Sequence, residues 1–427
     1  MVKELILFYL SAVVCITANA QTSLDYYLRQ AEKNSPQIKE LLNQKEKSTL
    51  ESERLKAVYK SANVSMNGNL LIVPIISQDN GKTTLEWNAQ NAGQYYGYDL
   101  GQANSSLNLG LTWSKPLLDN ASYNREKERL DIEKNIQDNS ILLNVHDIKK
   151  AVTDQYILCI TDKNQIKLAE GIIENLNTQY EILCRLAAKG LAKNTDLQLL
   201  DIERNNNGYL KQCALQSYHT HKADLDIMCG INDTIDGELK EIHLEPIVEE
   251  NYISHYNYKY TLDSMHTASV LKSSMIKYRP KLNVFIDGGV NTADFSNTYR
   301  RFGISAGMSF SWLLFDGKQK RNLQRQADAD IKIICDYRDR FIADRIKNKS
   351  KYIRQLEDID IQKTKLQKQM EDYDRLLENL TLQMQHGEQS VIDYVTVLRN
   401  KIQAAKDDMT ISANRELLIN ALNYWNW

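Results

Sequence analysis

The sequence predicts a mainly α-helical fold with a small β part, built as a strand–strand–long-helix hairpin unit that occurs twice. Three observations carry this. Residues 106–114 and 302–314 alternate apolar and polar side chains with period two, the signature of two-faced strands. No proline falls in 117–245 or in 281–427, stretches dominated by Leu, Lys, Gln, Glu, Asp and Ile, so very long helices are permitted there. Leu117-Leu118-Asp119-Asn120 is mirrored by Leu314-Phe315-Asp316-Gly317 at an offset of 197 residues, and Gly190 and Gly387 repeat that offset. A duplication of such long period is a fold-level signal.

The elements follow in order. Residues 1–20 read as a cleaved secretory signal, with Lys3, an apolar run from Leu5 to Ile16, and Ala18-Asn19-Ala20 before Gln21. The run is too short for a spanning helix. Cys15 lies inside it behind Val14, where a small residue usually precedes a lipidated cysteine, so lipidation is the minor reading. The first repeat covers 21–230, with strands at about 62–76 and 104–116 and helices to 229. Val64, Met66, Gly68, Leu70 and Ile72 alternate along the first strand. The connection from about Ser77 to Asn104, with its Gly-, Asn- and Tyr-rich NAGQYYGYDLGQ, reads as a surface loop. From Asp119 to Ala188 a continuous helix would run about 100 Å at 1.5 Å per residue.

A linker at 231–250 separates the repeats. The second repeat, 251–427, has strands at about 280–291 and 301–315, a shorter connection, and helices to 424. Leu366, Met370, Tyr373, Leu377, Leu380 and Met384 alternate fours and threes, as do Val391, Val395, Leu398, Ile402, Ala405 and Met409. That spacing keeps an apolar seam toward a partner helix, so the two runs predict an antiparallel coiled-coil hairpin. The corners are KGLAKNTDLQLLDIE and HGEQSVIDYVTVLRN. Gly190 after Lys189 and Gly387 after His386 are ordinary helix stops. Thr195 with Gln198 fits a capping box, and Ser390 with Asp393 resembles one.

The strands have about the 9–11 residues that a tilted bilayer crossing needs. Four strands cannot close a barrel, and an open edge in hydrocarbon strands its backbone groups. Either the strands form a soluble sheet packed on helices, or several chains pool them. Gly303, Ser305, Gly307, Ser309 and Ser311 suit a water-lined interior. Phe302, Phe310, Trp312 and Trp113 suit a lipid-facing band.

Other chemistries find little support. The net charge of −2 gives no reason to expect nucleic acid. Five cysteines follow the leader (Cys159, Cys184, Cys213, Cys229 and Cys335), none spaced as a metal or redox motif. They read as small buried apolar side chains. His219 and His221 point to different helix faces, and there is no phosphate loop or zinc-protease motif. No enzyme, metal or cofactor is expected.

Taken in order, the leader, the duplicated strand–strand–long-helix unit, the Leu-Leu/Phe-Asp-Asn/Gly motif and the Gly-turn-Thr/Ser tips resemble the TolC family of outer membrane efflux proteins. The resemblance implies a homotrimer in a Gram-negative outer membrane. Each chain would give four strands to a shared twelve-stranded transmembrane barrel, with a coiled-coil helical tunnel in the periplasm and 231–250 as an equatorial segment. It implies a passive exit duct for tripartite efflux or type I secretion, working with a periplasmic adaptor (membrane fusion) protein and an inner-membrane transporter. By the same resemblance, Gly190, Thr195, Gly387 and Ser390 build adaptor-docking turns. Asp393 matches the first aspartate of a pair lining the periplasmic constriction, with Thr396 at the second. Asp196 matches a partner aspartate, while Met384 and Gln389 stand where the family has a latch tyrosine and arginine. The rival readings are a secreted periplasmic coiled-coil scaffold without a barrel, and the same duct exporting proteins.

Overall fold

The computed structural model describes residues 23–70, 75–79, 81–86, 107–190, 192–232, 239–247, 254–292, 300, 302–385 and 390–427. The leader with Cys15 lies outside them. The elements are α1 (Leu24–Asn34), α2 (Pro36–Lys60), β1 (Asn63–Leu70), β2 (Ile75–Asp79), β3 (Lys82–Glu86), β4 (Leu107–Pro116), α3 (Asn120–Ala188), α4 (Asn194–Cys229), α5 (His255–Ser274), a 3-10 turn (Met275–Tyr278), β5 (Lys281–Thr292), β6 (Phe302–Ser311), α6 (Gln319–Gln385) and α7 (Val391–Asn426). The predicted order of strand, strand, very long helix and long helix occurs twice. The proline-free runs form helices of 69 and 67 residues. Among the described residues no helix is long and apolar enough to cross a membrane.

The chain divides into two compact units. The unit of Asn43–Asp138 and Tyr260–Cys335 holds the strands. β1, β4, β5 and β6 form one antiparallel sheet in that order, so β1 and β6 are its edges. One strand ends earlier than the alternation alone suggests. β6 stops at Ser311, whose partner Lys281 is the first residue of β5. Pro280 precedes Lys281 and has no N–H to extend the ladder. Part of the stretch read as a surface loop is instead a hairpin, with Ile75 paired to Glu86 and Asp79 to Lys82. The signal is Asn80-Gly81, with Gly81 at φ 70° in the left-handed region that such turns require.

Below the sheet residues in sequence, the helix segments of this unit bury Leu55, Leu130, Ile132, Leu262 and Ala327. Lys45 bonds Asp138 at 2.6 Å, and Lys272 bonds Glu128 at 2.8 Å.

The other unit comprises Met1–Leu42, Asn139–Lys259 and Asp336–Trp427. One core joins Tyr27 and Ala31 of α1 to Val152, Tyr156, Cys159 and Ile160 of α3 and to Leu225 and Cys229 of α4. Burial pushes the Cys159 and Cys229 thiols up to about 12, so these two are the small apolar groups expected, whereas Cys184 is exposed and Cys213 and Cys335 are half-buried. α4 ends at Gly230, φ 60°, where Asn34 donates to the carbonyls of Cys229 and Gly230 at 2.9 and 3.0 Å. A Cβ at Gly230 would stand 2.8 Å from that of Asn34.

Residues 239–247, within the predicted linker, run without regular structure and are held by side chains. Tyr156 donates to Lys240 O at 2.7 Å, and Lys163 to Leu239 O at 2.7 Å. Glu416 accepts from Leu244 N at 2.8 Å, and Asn423 accepts from Ile247 N at 2.7 Å. Such partners satisfy the amides that no strand ladder serves.

Candidate functional site

The strand-bearing unit carries a sheet with two unlike faces. Registered rows on one face are Val64–Trp113–Ile286–Ala306, Met66–Leu111–Gly288–Ile304 and Gly68–Leu109–Val290–Phe302. On the other face the rows are Ser65–Thr112–Asp287–Ser305 and Asn67–Gly110–Gly289–Gly303. The predicted lipid-face residues Trp113, Phe310 and Trp312 all lie exposed, as does Phe302. The apolar face is open to solvent: Ile304 is 74% exposed and Met308 71%, and Val64, Met66, Leu70 and Leu111 are exposed with them.

This exposure is energetically large. Fully burying one such side chain is worth about 1.5–3 kcal/mol, so this face forgoes on the order of 10 kcal/mol in water. That is comparable with the whole stability of an ordinary domain, about 5–15 kcal/mol. An apolar patch of this extent marks an interaction surface.

The polar face is nearly free of large side chains, because these two rows are glycine, serine, threonine and asparagine with one aspartate, Asp287. A Cβ at Gly289 would come within 2.3 Å of Leu109 O and 2.5 Å of Gly110 Cα, so only glycine fits where β4 and β5 meet. Phe285 is the exception to smallness. Its ring lies over Gly307, where a Cβ would be 2.7 Å from Phe285 Cζ.

The helical unit carries the predicted tip. α3 ends on Gly190, φ 75°, whose N–H donates to Ala187 O at 2.9 Å. α4 begins at Asn194 with Lys193 as its N-cap. The predicted Thr195–Gln198 capping box is therefore displaced by two positions, to Lys193–Asp196. Asp196 takes the third position and accepts from Lys193 N at 3.2 Å, while Thr195 sits exposed in the first turn. A carboxylate there also meets the positive end of the helix. Ser390 caps α7 and accepts from Ile392 N at 3.2 Å. Gly387 and Gln389 lie outside the described residues.

Behind these turns one core draws on four helices. It joins Ile172, Leu176 and Leu183 of α3, Leu200 of α4, Leu377, Leu380 and Met384 of α6, and Val391, Tyr394, Val395, Leu398 and Ile402 of α7. The predicted heptad positions from Leu377 to Met384 and from Val391 to Ala405 are buried, while Leu366, Met370 and Tyr373 are half-buried. Met384 is 2% exposed, so within one subunit it belongs to this core and not to the surface that carries Asp393. Asp393 and Thr396 are both exposed, three residues apart on α7, and Thr396 donates to Ile392 O at 2.7 Å. They share a helix face.

Two polar pairs in this tip escape the sequence reading. Tyr394 is buried, its hydroxyl bonded to Asn175 Oδ1 at 2.8 Å, and burial raises its pKa to about 12. Glu203 is buried and receives Arg399, whose Nε donates at 2.8 Å. The available signal was the row Leu200, Glu203, Asn207, Leu210 and Ala214, which alternates threes and fours like an apolar seam but places two polar residues in it. The cation that meets Glu203 stands 196 positions away, beyond the reach of local pattern.

Reaction chemistry has no counterpart of this kind. Among the described residues no group of three or more His, Cys, Asp or Glu is placed to hold a metal ion. His221 bonds Asp162 at 2.5 Å, and His219 packs against Tyr218, so the two histidines serve different neighbours.

No family model matches the sequence. No curated protein sequence matches it either. Solved structures do match in fold. The outer membrane protein VceC of Vibrio cholerae superimposes with a TM-score of 0.70 at 10% identity, covering 94% of this chain and 95% of that one. The CmeC outer membrane channel of Campylobacter jejuni gives 0.70 at 12% identity, covering 94% and 85%. The open-state MtrE outer membrane channel of Neisseria gonorrhoeae gives 0.69 at 12% identity, covering 95% and 89%. The chain thus has the fold of these outer membrane channel proteins, helices and sheet together, as the resemblance implied.

Proposed function

We propose that this chain is one subunit of a trimeric exit duct in a Gram-negative outer membrane. The observation that carries the reading is the sheet, apolar and exposed on one face, polar and small on the other, and with no strand paired to either edge among the described residues. In hydrocarbon an unpaired edge is not tolerated, so β6 of one copy pairs with β1 of the next until the wall closes. Three copies give twelve strands, more than the roughly eight whose interior is filled by side chains, so water occupies the lumen. The apolar rows then face lipid and the Ser, Thr, Asn and Gly rows face water.

The helices extend this conduit through the periplasm. The turns at Gly190, Thr195, Gly387 and Ser390 meet a periplasmic adaptor, and an inner-membrane transporter supplies the substrate and the energy in efflux or type I secretion. The chain conducts and does not catalyse. Asp393 and Thr396 line the narrowest ring, where three carboxylates favour cations. Met384 and its neighbours hold the closed state by packing.

Fractionation and bilayer recording test this. The protein remains with outer membranes after a salt wash, migrates as a stable oligomer and forms ion-conducting channels. Asp393→Ala raises single-channel conductance and weakens block by multivalent cations. A protein that washes off as a monomer is a scaffold and not a duct. Channels indifferent to the substitution place the constriction elsewhere.

A further inference from the structure

The end of the sheet where β5 begins and β6 leaves carries charge that nothing in the duct reading uses. Lys277, Arg279 and Lys281 lead into β5, and Lys318, Lys320 and Arg321 follow β6 into α6. Across 277–281 and 316–321 these six cations meet one acid, Asp316. Asp316 offsets one of the six, and its carboxylate is turned to the backbone, Oδ1 accepting from Lys318 N at 3.0 Å and Oδ2 from Lys320 N at 2.7 Å. Among the described residues no carboxylate is ion-paired with any of the six.

The two segments are neighbours in space. Trp312 Nε1 donates to Tyr278 O at 3.2 Å, Lys277 Nζ donates to Gln319 Oε1 at 3.2 Å, and the ammonium groups of Lys277 and Lys320 lie 5.1 and 5.9 Å from the centre of the Tyr278 ring. Directly beside them Leu314 and Phe315 project into solvent, 79% and 84% exposed. Uncompensated cations on one side of an apolar wedge match a molecule with a phosphate at its head and acyl chains behind it. A free anion would use the cations and leave the wedge in water.

We propose that this collar binds the phosphate headgroup of an anionic phospholipid, with Leu314 and Phe315 against its acyl chains. Lys277, Lys320 and their neighbours fix the depth at which the sheet sits in the bilayer. Cations near an anionic leaflet strengthen such binding by roughly fivefold each. The inference rests on the duct reading for the presence of a bilayer.

The test uses the full chain reconstituted into vesicles containing brominated phosphatidylglycerol or brominated phosphatidylcholine with the same acyl chains, with tryptophan quenching as the readout. Phosphatidylglycerol quenches at roughly 25-fold lower mole fraction than phosphatidylcholine, and Trp312→Phe removes the difference. Lys320→Gln reduces the preference roughly fivefold, and K277Q with K320Q abolishes it, while quenching by phosphatidylcholine is unchanged and shows that the variants still fold and insert. Leu314→Ser with Phe315→Ser weakens quenching by both lipids. Equal quenching in the parent protein overturns the proposal, as does a preference that survives in the charge variants or is erased by millimolar inorganic phosphate. A chain that never inserts overturns the duct reading and this proposal together. A chain that inserts without headgroup preference overturns this proposal alone.

Discussion

The sheet and the helical tip solve opposite problems with similar side chains. In the tip, threes and fours turn Leu377, Leu380, Met384, Val395 and Leu398 toward one another, and one chain buries them all. In the sheet, twos turn Val64, Leu111, Ile304 and Met308 outward, and among the described residues nothing lies over them. The tip is complete in a single subunit as far as its core is concerned. On the proposed reading the sheet is finished by something outside the chain, lipid on the face and neighbouring strands at the edges. Periodicity therefore tells which residues share a face, and the fold around them decides whether that face is a core or a contact.

Four substitutions probe this contrast. The largest effect is expected on the sheet. Ile304→Lys, in the central row of the sheet, costs about 2–4 kcal/mol per subunit at mid-bilayer, and three subunits together lose on the order of 10 kcal/mol. The membrane-bound oligomer on semi-native gels falls to near zero while far-UV circular dichroism still reports the helices. An undiminished oligomer would mean that the exposed face never meets lipid, and the contrast breaks.

Tyr394→Ala comes next, at about 3–5 kcal/mol, because it empties the tip core and leaves Asn175 without its partner. It lowers the urea midpoint of helix unfolding and spares insertion. Arg399→Ala removes the cation that meets buried Glu203. Arg399 is itself largely exposed, so the loss is about 1–3 kcal/mol, and Glu203→Gln added to it returns part of that in a double-mutant cycle. Ser390→Ala is the mildest, about 1 kcal/mol, read as faster hydrogen exchange at the start of α7. Any of the three tip substitutions that blocks insertion would show the regions to be coupled.

Much of this architecture is legible in the residue order. The proline gaps mark the 69- and 67-residue helices, and the alternation marks all four strands of the sheet. What escaped depends on partners or on fine backbone choice. The β2–β3 hairpin was announced by Asn80-Gly81, but that signal is two residues long inside a Gly- and Asn-rich stretch. At the first tip the chain enters α4 two residues earlier than Thr195 suggests, since Asp196 serves the cap from within. Glu203 could be seen as a polar intruder in a seam, yet only the packing of α4 against α7 names Arg399 as its mate.

The turn between β6 and α6 holds one more lesson. Gly317 and Lys318 stand side by side at φ 63° and 72°, and Lys318 is the single non-glycine residue at positive φ among those described. A lysine in that conformation gives up roughly 1–2 kcal/mol that a second glycine would have spared. At the matching place in the first repeat the helix simply starts, at Asn120. The strained corner therefore presents an ammonium group that its twin, with Ala121 at the matching position, does not carry.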